Sequence, residues 1–182
     1  MATFFTVFIV LQLLLTPPLL LLGQAFNPVR GSDETLIAIE CHNAEVPSTC
    51  IQCLKSDQRS KNSDRVGIAA IMVNCLQNHA KTLATNMSEL ASGTADLAMK
   101  NVFEECGRGF SSAYKELSSA TSSLEKRKYD EAEMLVYEAL EYELKCHWKI
   151  GSYGDQIPKD VVYGMKLYED LSEATDRIVE RL

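Results

Sequence analysis

Apolar residues recur at alternating steps of four and three along two neighbouring stretches in the second half of the chain. In the stretch 97–124 the recurring residues are Met99, Phe103, Cys106, Phe110, Ala113, Leu117, Ala120 and Leu124. In the stretch 129–148 they are Ala132, Leu135, Ala139, Tyr142 and Cys146. This spacing places each set on one face of an α-helix, where it forms a seam for another helix.

Two further stretches show the same spacing. One follows Asp64, a predicted N-cap, and has the seam Ala69, Val73, Leu76, Ala80, Leu83, Met87 and Leu90. The other starts near Lys159 and carries Val161, Tyr168, Leu171, Thr175, Ile178 and Leu182. The breaks lie at 92–94, 125–128 and 151–158, with Gly93 predicted to end one helix and Thr94 to cap the next. Four long helices with short connections predict an all-α fold, an antiparallel up-down-up-down four-helix bundle over residues 64–182.

The segment before the bundle predicts a helical hairpin within residues 26–58. One short helix runs from Asp33 to about Glu40, and a second starts at Pro47, a residue suited to the first turn of a helix. Cys41 and Cys50 lie at the closing end of this hairpin. These two short helices offer too little apolar surface to stay paired alone, so a local disulfide would stabilise the hairpin.

The N-terminal residues 1–25 contain no charged side chain, and 4–22 are almost wholly apolar. Gly23 and Ala25 are small residues at the −3 and −1 positions of a cleavage site. This pattern predicts a secretory signal peptide at 1–25 and a mature domain at 26–182. A transmembrane anchor is the alternative, but Pro17 and Pro18 would interrupt its helix.

Charge and cysteine content narrow the class of protein. The net charge of −7 and the pI near 5.0 argue against nucleic acid and an anionic membrane surface as partners. Secretion passes through an oxidising compartment, so all six cysteines are disulfide candidates. These are Cys41, Cys50, Cys53, Cys75, Cys106 and Cys146. Spacing alone does not choose among the connectivities.

The chain shows no catalytic motif, so we predict no enzyme, no catalytic residue, no metal site and no cofactor. The three histidines are far apart in sequence, without a second ligand at metal spacing, and are predicted to lie on the surface or at its rim. The glutamates between Glu131 and Glu143 are predicted to form a solvated helix face. Cys50 and Cys53 have C-x-x-C spacing, but no second such pair completes a zinc set. Asn86 begins an N-glycosylation sequon.

Together these features resemble the plant invertase and pectin methylesterase inhibitors over essentially the whole mature chain. The resemblance rests on an ordered set of residues: Cys41 and Cys50 with eight residues between them, Leu54-Lys55-Ser56-Asp57-Gln58-Arg59-Ser60, Asp64, Ala70-Ile71-Met72-Val73, Cys106, Tyr129, Ala132, Cys146, Leu171-Ser172, Ile178-Val179 and Leu182. The stretch from 56 to 73 is most similar to the invertase inhibitors.

The resemblance implies a four-helix bundle with an N-terminal hairpin and two disulfides, Cys41–Cys50 and Cys106–Cys146. Cys53 and Cys75 depart from the four-cysteine pattern and form either a third disulfide or two buried thiols. Some invertase inhibitors carry Pro-Lys-Phe where this chain has Arg127-Lys128-Tyr129. These three residues are therefore candidate partner contacts, with Tyr129 alternatively packing at the start of its helix.

The resulting hypothesis is a secreted inhibitor that covers the active site of an acid invertase (β-fructofuranosidase) in a one-to-one complex. Mild acid is expected to favour this complex by reducing charge repulsion. Pectin methylesterase is the alternative target, and the vacuole is the alternative to the apoplast. A secreted helical protein that binds a small ligand or acts in signalling, without inhibiting an enzyme, is the second alternative because a fold does not define a function.

Overall fold

The computed structural model describes residues 33–182, which contain helices and turns and no β-strand. The α-helices are α1 (Asp33–Cys41), α2 (Pro47–Ser56), α3 (Arg65–Gly93), α4 (Leu97–Glu125), α5 (Tyr129–Ile150) and α6 (Lys159–Val179). Short 3₁₀ helices cover Gln58–Asn62 and Gly151–Gln156. The all-α prediction is confirmed. No helix in this described range is long and apolar enough to cross a membrane, and the predicted signal peptide lies outside it.

Aspartates cap the first two long helices. The Asp64 carboxylate accepts a hydrogen bond from the backbone N–H of Gly67, as the sequence predicts. Asp96, and not Thr94, caps α4, since its carboxylate accepts from the N–H groups of Ala98 and Met99 at 2.8 and 3.0 Å. α3 ends at Gly93 as predicted, but Gly93 has no positive φ and so is not a left-handed cap. The prediction of Thr94 as the N-cap of α4 is wrong, since Thr94 instead accepts from the N–H of Asp96.

The four long helices form a ring in which α3 packs on α4 and α6, and α5 packs on the same two helices. Contacts between α4 and α5 run in opposite chain directions, because Glu105 pairs with Lys149 while Gly109 lies against Tyr142. All eight seam residues predicted for α4 are buried. Phe110 packs edge-on against Tyr168, with ring centroids 5.6 Å apart, and the two rings join α4 to α6 in the core.

Three of the five seam positions predicted for α5 are buried, and the other two pack at the edge of the core. Leu135 and Tyr142 are only half-buried. The buried positions next to them are Val136 and Glu143. The buried face of α5 thus keeps Ala132, Ala139 and Cys146 but extends to Val136 and Glu143, so that it directs a carboxylate into the bundle.

A buried ion cluster fastens the N-terminal helices to the bundle. The Glu40 carboxylate of α1 lies 2.8 Å from Nε of Arg65 and 2.7 Å from a guanidinium nitrogen of Arg181. Arg181 also donates to the backbone carbonyl of Glu40, and Arg177 donates to that of Asn43. Two arginines thus compensate one buried charge, as burial of a carboxylate requires.

Three disulfides add covalent links between successive elements. Cys41–Cys50 joins α1 to α2, and Cys53–Cys75 joins α2 to α3. Cys106–Cys146 joins α4 to α5. Cys50 and Cys53 therefore bond to different partners and do not act as a C-x-x-C pair.

Candidate functional site

The connection between α4 and α5, residues 126–128, is a tight turn held by backbone hydrogen bonds. The N–H of Arg127 donates to the carbonyl of Leu124 at 3.0 Å, and that of Lys128 donates to Ser123 at 2.9 Å. This pattern is a Schellman motif, which ends a helix with one left-handed residue. Arg127 occupies that position with φ of 58°, where glycine is usual. The turn therefore holds an arginine in a fixed, strained conformation.

The three candidate contact residues lie together at this turn, with different exposures. Arg127 and Lys128 are exposed, while Tyr129 begins α5 and packs against the hydrophobic core. Lys128 Nζ lies 2.8 Å from Glu131 Oε2, and this ammonium group lowers the pKa of the Glu131 carboxyl. The turn thus presents two cations to solvent, supported by a tyrosine that anchors the start of α5.

The outer face of α5 carries large apolar side chains that the sequence analysis missed. Met134, Tyr137, Leu144 and Trp148 are 53%, 55%, 45% and 82% exposed. Their spacing of three, seven and four places them on one helix face, here called the α5 stripe. The sequence contains the α5 stripe as a second set of large apolar residues at helical spacing, beside the buried seam of the same helix. Met, Tyr and Trp on a surface are enriched at protein–protein contacts, so the stripe is a candidate docking face.

A second group of polar residues gathers between α5 and α6. Glu143 is fully buried, and its Oε1 lies 3.3 Å from Nδ1 of His147 one turn later. One ligand atom from each of Glu143, His147 and Glu169 lies within 4.8 Å of the others. The predictions of a solvated Glu143 and of no second ligand near any histidine are therefore wrong. Helical spacing of i and i+4 could have identified the Glu143–His147 pair.

Burial governs the electrostatics of this group. Desolvation raises the pKa of the Glu143 carboxyl to about 7. His147 and Lys166 oppose this effect by attraction, whereas repulsion from Glu169 adds to it. Lys166 lies between two carboxylates, 3.3 Å from Glu169 and 3.0 Å from Asp170. These contacts raise the pKa of Lys166, so it remains charged.

The remaining predicted site residues lie elsewhere in the fold. His42 is exposed beside Asn43, and His79 is half-buried on α3, where desolvation lowers its pKa. Asn86 is half-buried within α3, next to the fully buried Met87. Its glycosylation stays a prediction.

The exposed Arg127 and the exposed Met and aromatic side chains of the α5 stripe are residue types that are enriched at protein–protein contacts. The chain matches the sequence model of the plant invertase/pectin methylesterase inhibitor family over residues 35–176, and it belongs to this family. The resemblance stated from the sequence is therefore confirmed. The family consists of enzyme inhibitors rather than enzymes.

Two relatives represent the two kinds of inhibitor. The chain is 30% identical over 118 residues to the cell wall / vacuolar inhibitor of fructosidase 2 of Arabidopsis thaliana, an alignment that covers 64% of this chain and 66% of that protein. It is 27% identical over 104 residues to a pectinesterase inhibitor of Actinidia deliciosa, with coverage of 57% and 56%. The matched regions are therefore less than two thirds of either relative's length.

Solved structures show the same fold. A mutant form of a pectin methylesterase inhibitor from Arabidopsis superimposes with a TM-score of 0.69 at 20% identity, covering 80% of this chain and 96% of that one. A pectin methylesterase inhibitor from Arabidopsis thaliana gives a TM-score of 0.62 at 19% identity, with coverage of 82% and 97%. At these identities the likeness concerns the fold alone.

Proposed function

We propose that the protein is a secreted inhibitor of an acid invertase of the cell wall and that it acts by covering the active site in a one-to-one complex. The observation that carries the proposal is the rigid turn with Arg127 and Lys128 exposed at the start of α5. The similarity to an Arabidopsis inhibitor of fructosidase supports the choice of target. Pectin methylesterase is the second candidate, supported by the similarity to a pectinesterase inhibitor. The vacuole is the second candidate location.

The chemistry of the turn suits this target. Glycosidases hydrolyse their substrates with a pair of carboxylic side chains at the active site. Exposed Arg127 and Lys128 can form charge-assisted hydrogen bonds with such carboxylates. The turn loses little conformational entropy on docking, since its backbone is already fixed by two hydrogen bonds.

The α5 stripe would extend this contact. It continues along the helix that starts at the turn, and it contains the largest exposed aromatic side chain, Trp148. Buried aromatic anchors contribute most of the binding free energy in many interfaces. The turn would therefore enter the active site while Tyr137 and Trp148, farther along α5, pack on the enzyme surface outside it.

Titration of the two enzymes tests the target. The oxidised protein, residues 26–182, is added to one acid invertase and to one pectin methylesterase at mildly acidic pH, and residual activity is read. Stoichiometric loss of invertase activity alone is expected. Loss of esterase activity alone would replace the target by pectin methylesterase. Full activity of both enzymes would contradict the inhibitor proposal for these partners.

Alanine variants test the contact surface in the same assay. We expect Tyr137→Ala with Trp148→Ala to weaken inhibition by about 30-fold or more, because each removes an aromatic anchor of the size typical of hot spots. Arg127→Ala with Lys128→Ala should weaken it by about 10-fold. Leu97→Ala is the matched control: Leu97 is exposed and apolar but belongs to α4, outside both the turn and the α5 stripe. Equal weakening by Leu97→Ala would contradict this surface.

Replacing Arg127 by glycine separates the effect of the backbone conformation at this position from the effect of the side-chain contact with the enzyme. Arg127→Gly is expected to raise the free energy of unfolding by about 0.5–1 kcal/mol, because glycine adopts the left-handed conformation without strain. The same change should weaken inhibition, since it removes a cation. Urea denaturation and the invertase assay measure the two effects. Lys126→Gly is the control and should destabilise, because Lys126 has φ of −88°. Stronger inhibition by Arg127→Gly would show that the guanidinium does not contact the enzyme.

A further inference from the structure

Glu143, His147 and Glu169 converge where α5 packs on α6. Glu143 and His147 are one helical turn apart, and Glu169 approaches from the facing helix. Their ligand atoms, two carboxylate oxygens and one imidazole nitrogen, lie within 4.8 Å of one another. The group is distinct from the α4–α5 turn and from the α5 stripe.

Glu143 has unused coordinating capacity inside this group. Its side chain is fully buried, and among the residues that the structure describes its Oε2 has no hydrogen-bond partner. A buried carboxylate oxygen without a partner is costly, since it has lost its water and gained nothing in return. An ion held between the three side chains would supply the missing interaction.

We propose that Glu143, His147 and Glu169 bind one divalent transition-metal ion of the zinc type and so link α5 to α6. Imidazole nitrogen and carboxylate oxygen are ordinary zinc ligands at about 2.0–2.2 Å, and water can occupy the fourth position. Calcium and magnesium fit less well, because they prefer larger sets of oxygen ligands. Two carboxylates also balance the charge of a divalent ion.

The side chains can close around such an ion with small movements. Ligand atoms bound to one zinc ion are about 3.4 Å apart, given tetrahedral angles and these bond lengths. The side chain of His147 is 58% exposed and that of Glu169 is 24% exposed, so both retain some room to rotate toward the buried Glu143. Lys166 would keep its contact with Asp170 when Glu169 turns to the ion.

Calorimetric titration with zinc chloride at neutral pH tests the proposal, using the oxidised protein, residues 26–182, after treatment with chelator. We expect one ion per chain. Each of His147→Ala and Glu169→Gln should weaken zinc binding by about 10-fold or more, since each removes one of three protein ligands. His42→Ala and His79→Ala are the matched controls and should bind as the unchanged protein does.

Thermal unfolding provides a second measurement that is independent of inhibition. Zinc should raise the melting temperature of the unchanged protein, because an ion that binds only the folded state stabilises it. The isosteric variant Glu143→Gln should show no such rise. The proposal is wrong if millimolar zinc produces neither heat nor a shift. It is also wrong if His42→Ala or His79→Ala loses binding as fully as His147→Ala.

Discussion

Removal of the Cys106–Cys146 disulfide is expected to lower the free energy of unfolding by about 4 kcal/mol. The two cysteines are 40 residues apart in sequence and nearly fully buried. In the chain-entropy model, a bridge over a loop of this length removes much of the freedom of the unfolded chain. Urea denaturation of the double variant Cys106→Ala with Cys146→Ala, compared with the unchanged protein, measures the loss.

The position of this bridge also matters for the candidate docking surface. Cys106 lies in the first third of α4 and Cys146 in the last turns of α5, so the bridge joins the ends of these helices that are remote from the turn. The bridge and the turn together keep α4 and α5 paired along their length. We therefore expect the double variant to inhibit less well near its lower melting temperature, but to bind normally well below it.

The Cys41–Cys50 bridge is the control for loop length. Its cysteines are only nine residues apart, and the same model gives a loss of about 3 kcal/mol for the corresponding alanine pair. A smaller effect at Cys106 and Cys146 than at Cys41 and Cys50 would contradict the entropic account. It would indicate that α4 and α5 remain associated in the unfolded ensemble.

Helix positions and the α4 seam were predictable because these depend on local periodicity. Each core position of α4 carries an apolar residue and most of the positions between them are polar, so the pattern indicates one buried face. In α5 the pattern is degenerate, because Leu135 and Val136 are both apolar and Tyr142 stands beside Glu143. Packing against α4 and α6 decides which residue of each pair is more deeply buried, and no local pattern contains that packing.

The candidate sites also depend on tertiary structure that a local sequence pattern does not contain. The sequence directed attention to Arg127, Lys128 and Tyr129 through a family resemblance, but the left-handed Arg127 was not predictable without backbone geometry. The group of Glu143, His147 and Glu169 depends on the register between two helices. A buried glutamate is uncommon, and sequence-based expectation correctly favours exposure on average. Glu143 is the exception, and the structure was needed to find it.

Glu143→Gln is expected to change how stability depends on pH. Burial raises the pKa of this carboxyl in the folded protein from an ordinary value near 4.5 to about 7. Between these values the folded state holds a proton that the unfolded state has released. The free energy of unfolding therefore falls as pH rises from about 4.5 to 7 and then levels off. The unchanged protein should lose about 2–3 kcal/mol from this one group between mildly acidic and mildly alkaline pH.

Comparing the pH dependence of the free energy of unfolding in Glu143→Gln and in the unchanged protein isolates the contribution of Glu143. Urea denaturation is measured across the range in the presence of chelator, so that no ion is bound to Glu143. Glutamine cannot ionise, so the slope due to position 143 should disappear in Glu143→Gln, while titrating groups that do not interact with position 143 contribute equally to both proteins. Glu138→Gln, an exposed change on the same helix, should keep the slope of the unchanged protein.

If the free energy of unfolding depends on pH in the same way in Glu143→Gln and in the unchanged protein, Glu143 ionises normally in the folded state. That result would mean that water or a counter-charge reaches its buried oxygens, because an unsolvated carboxylate cannot keep its ordinary pKa. A lost slope would instead show that the bundle holds Glu143 as a neutral acid at the mildly acidic pH of the proposed inhibition. Charge at this position would then appear only as pH rises, at the cost of stability unless a cation compensates it.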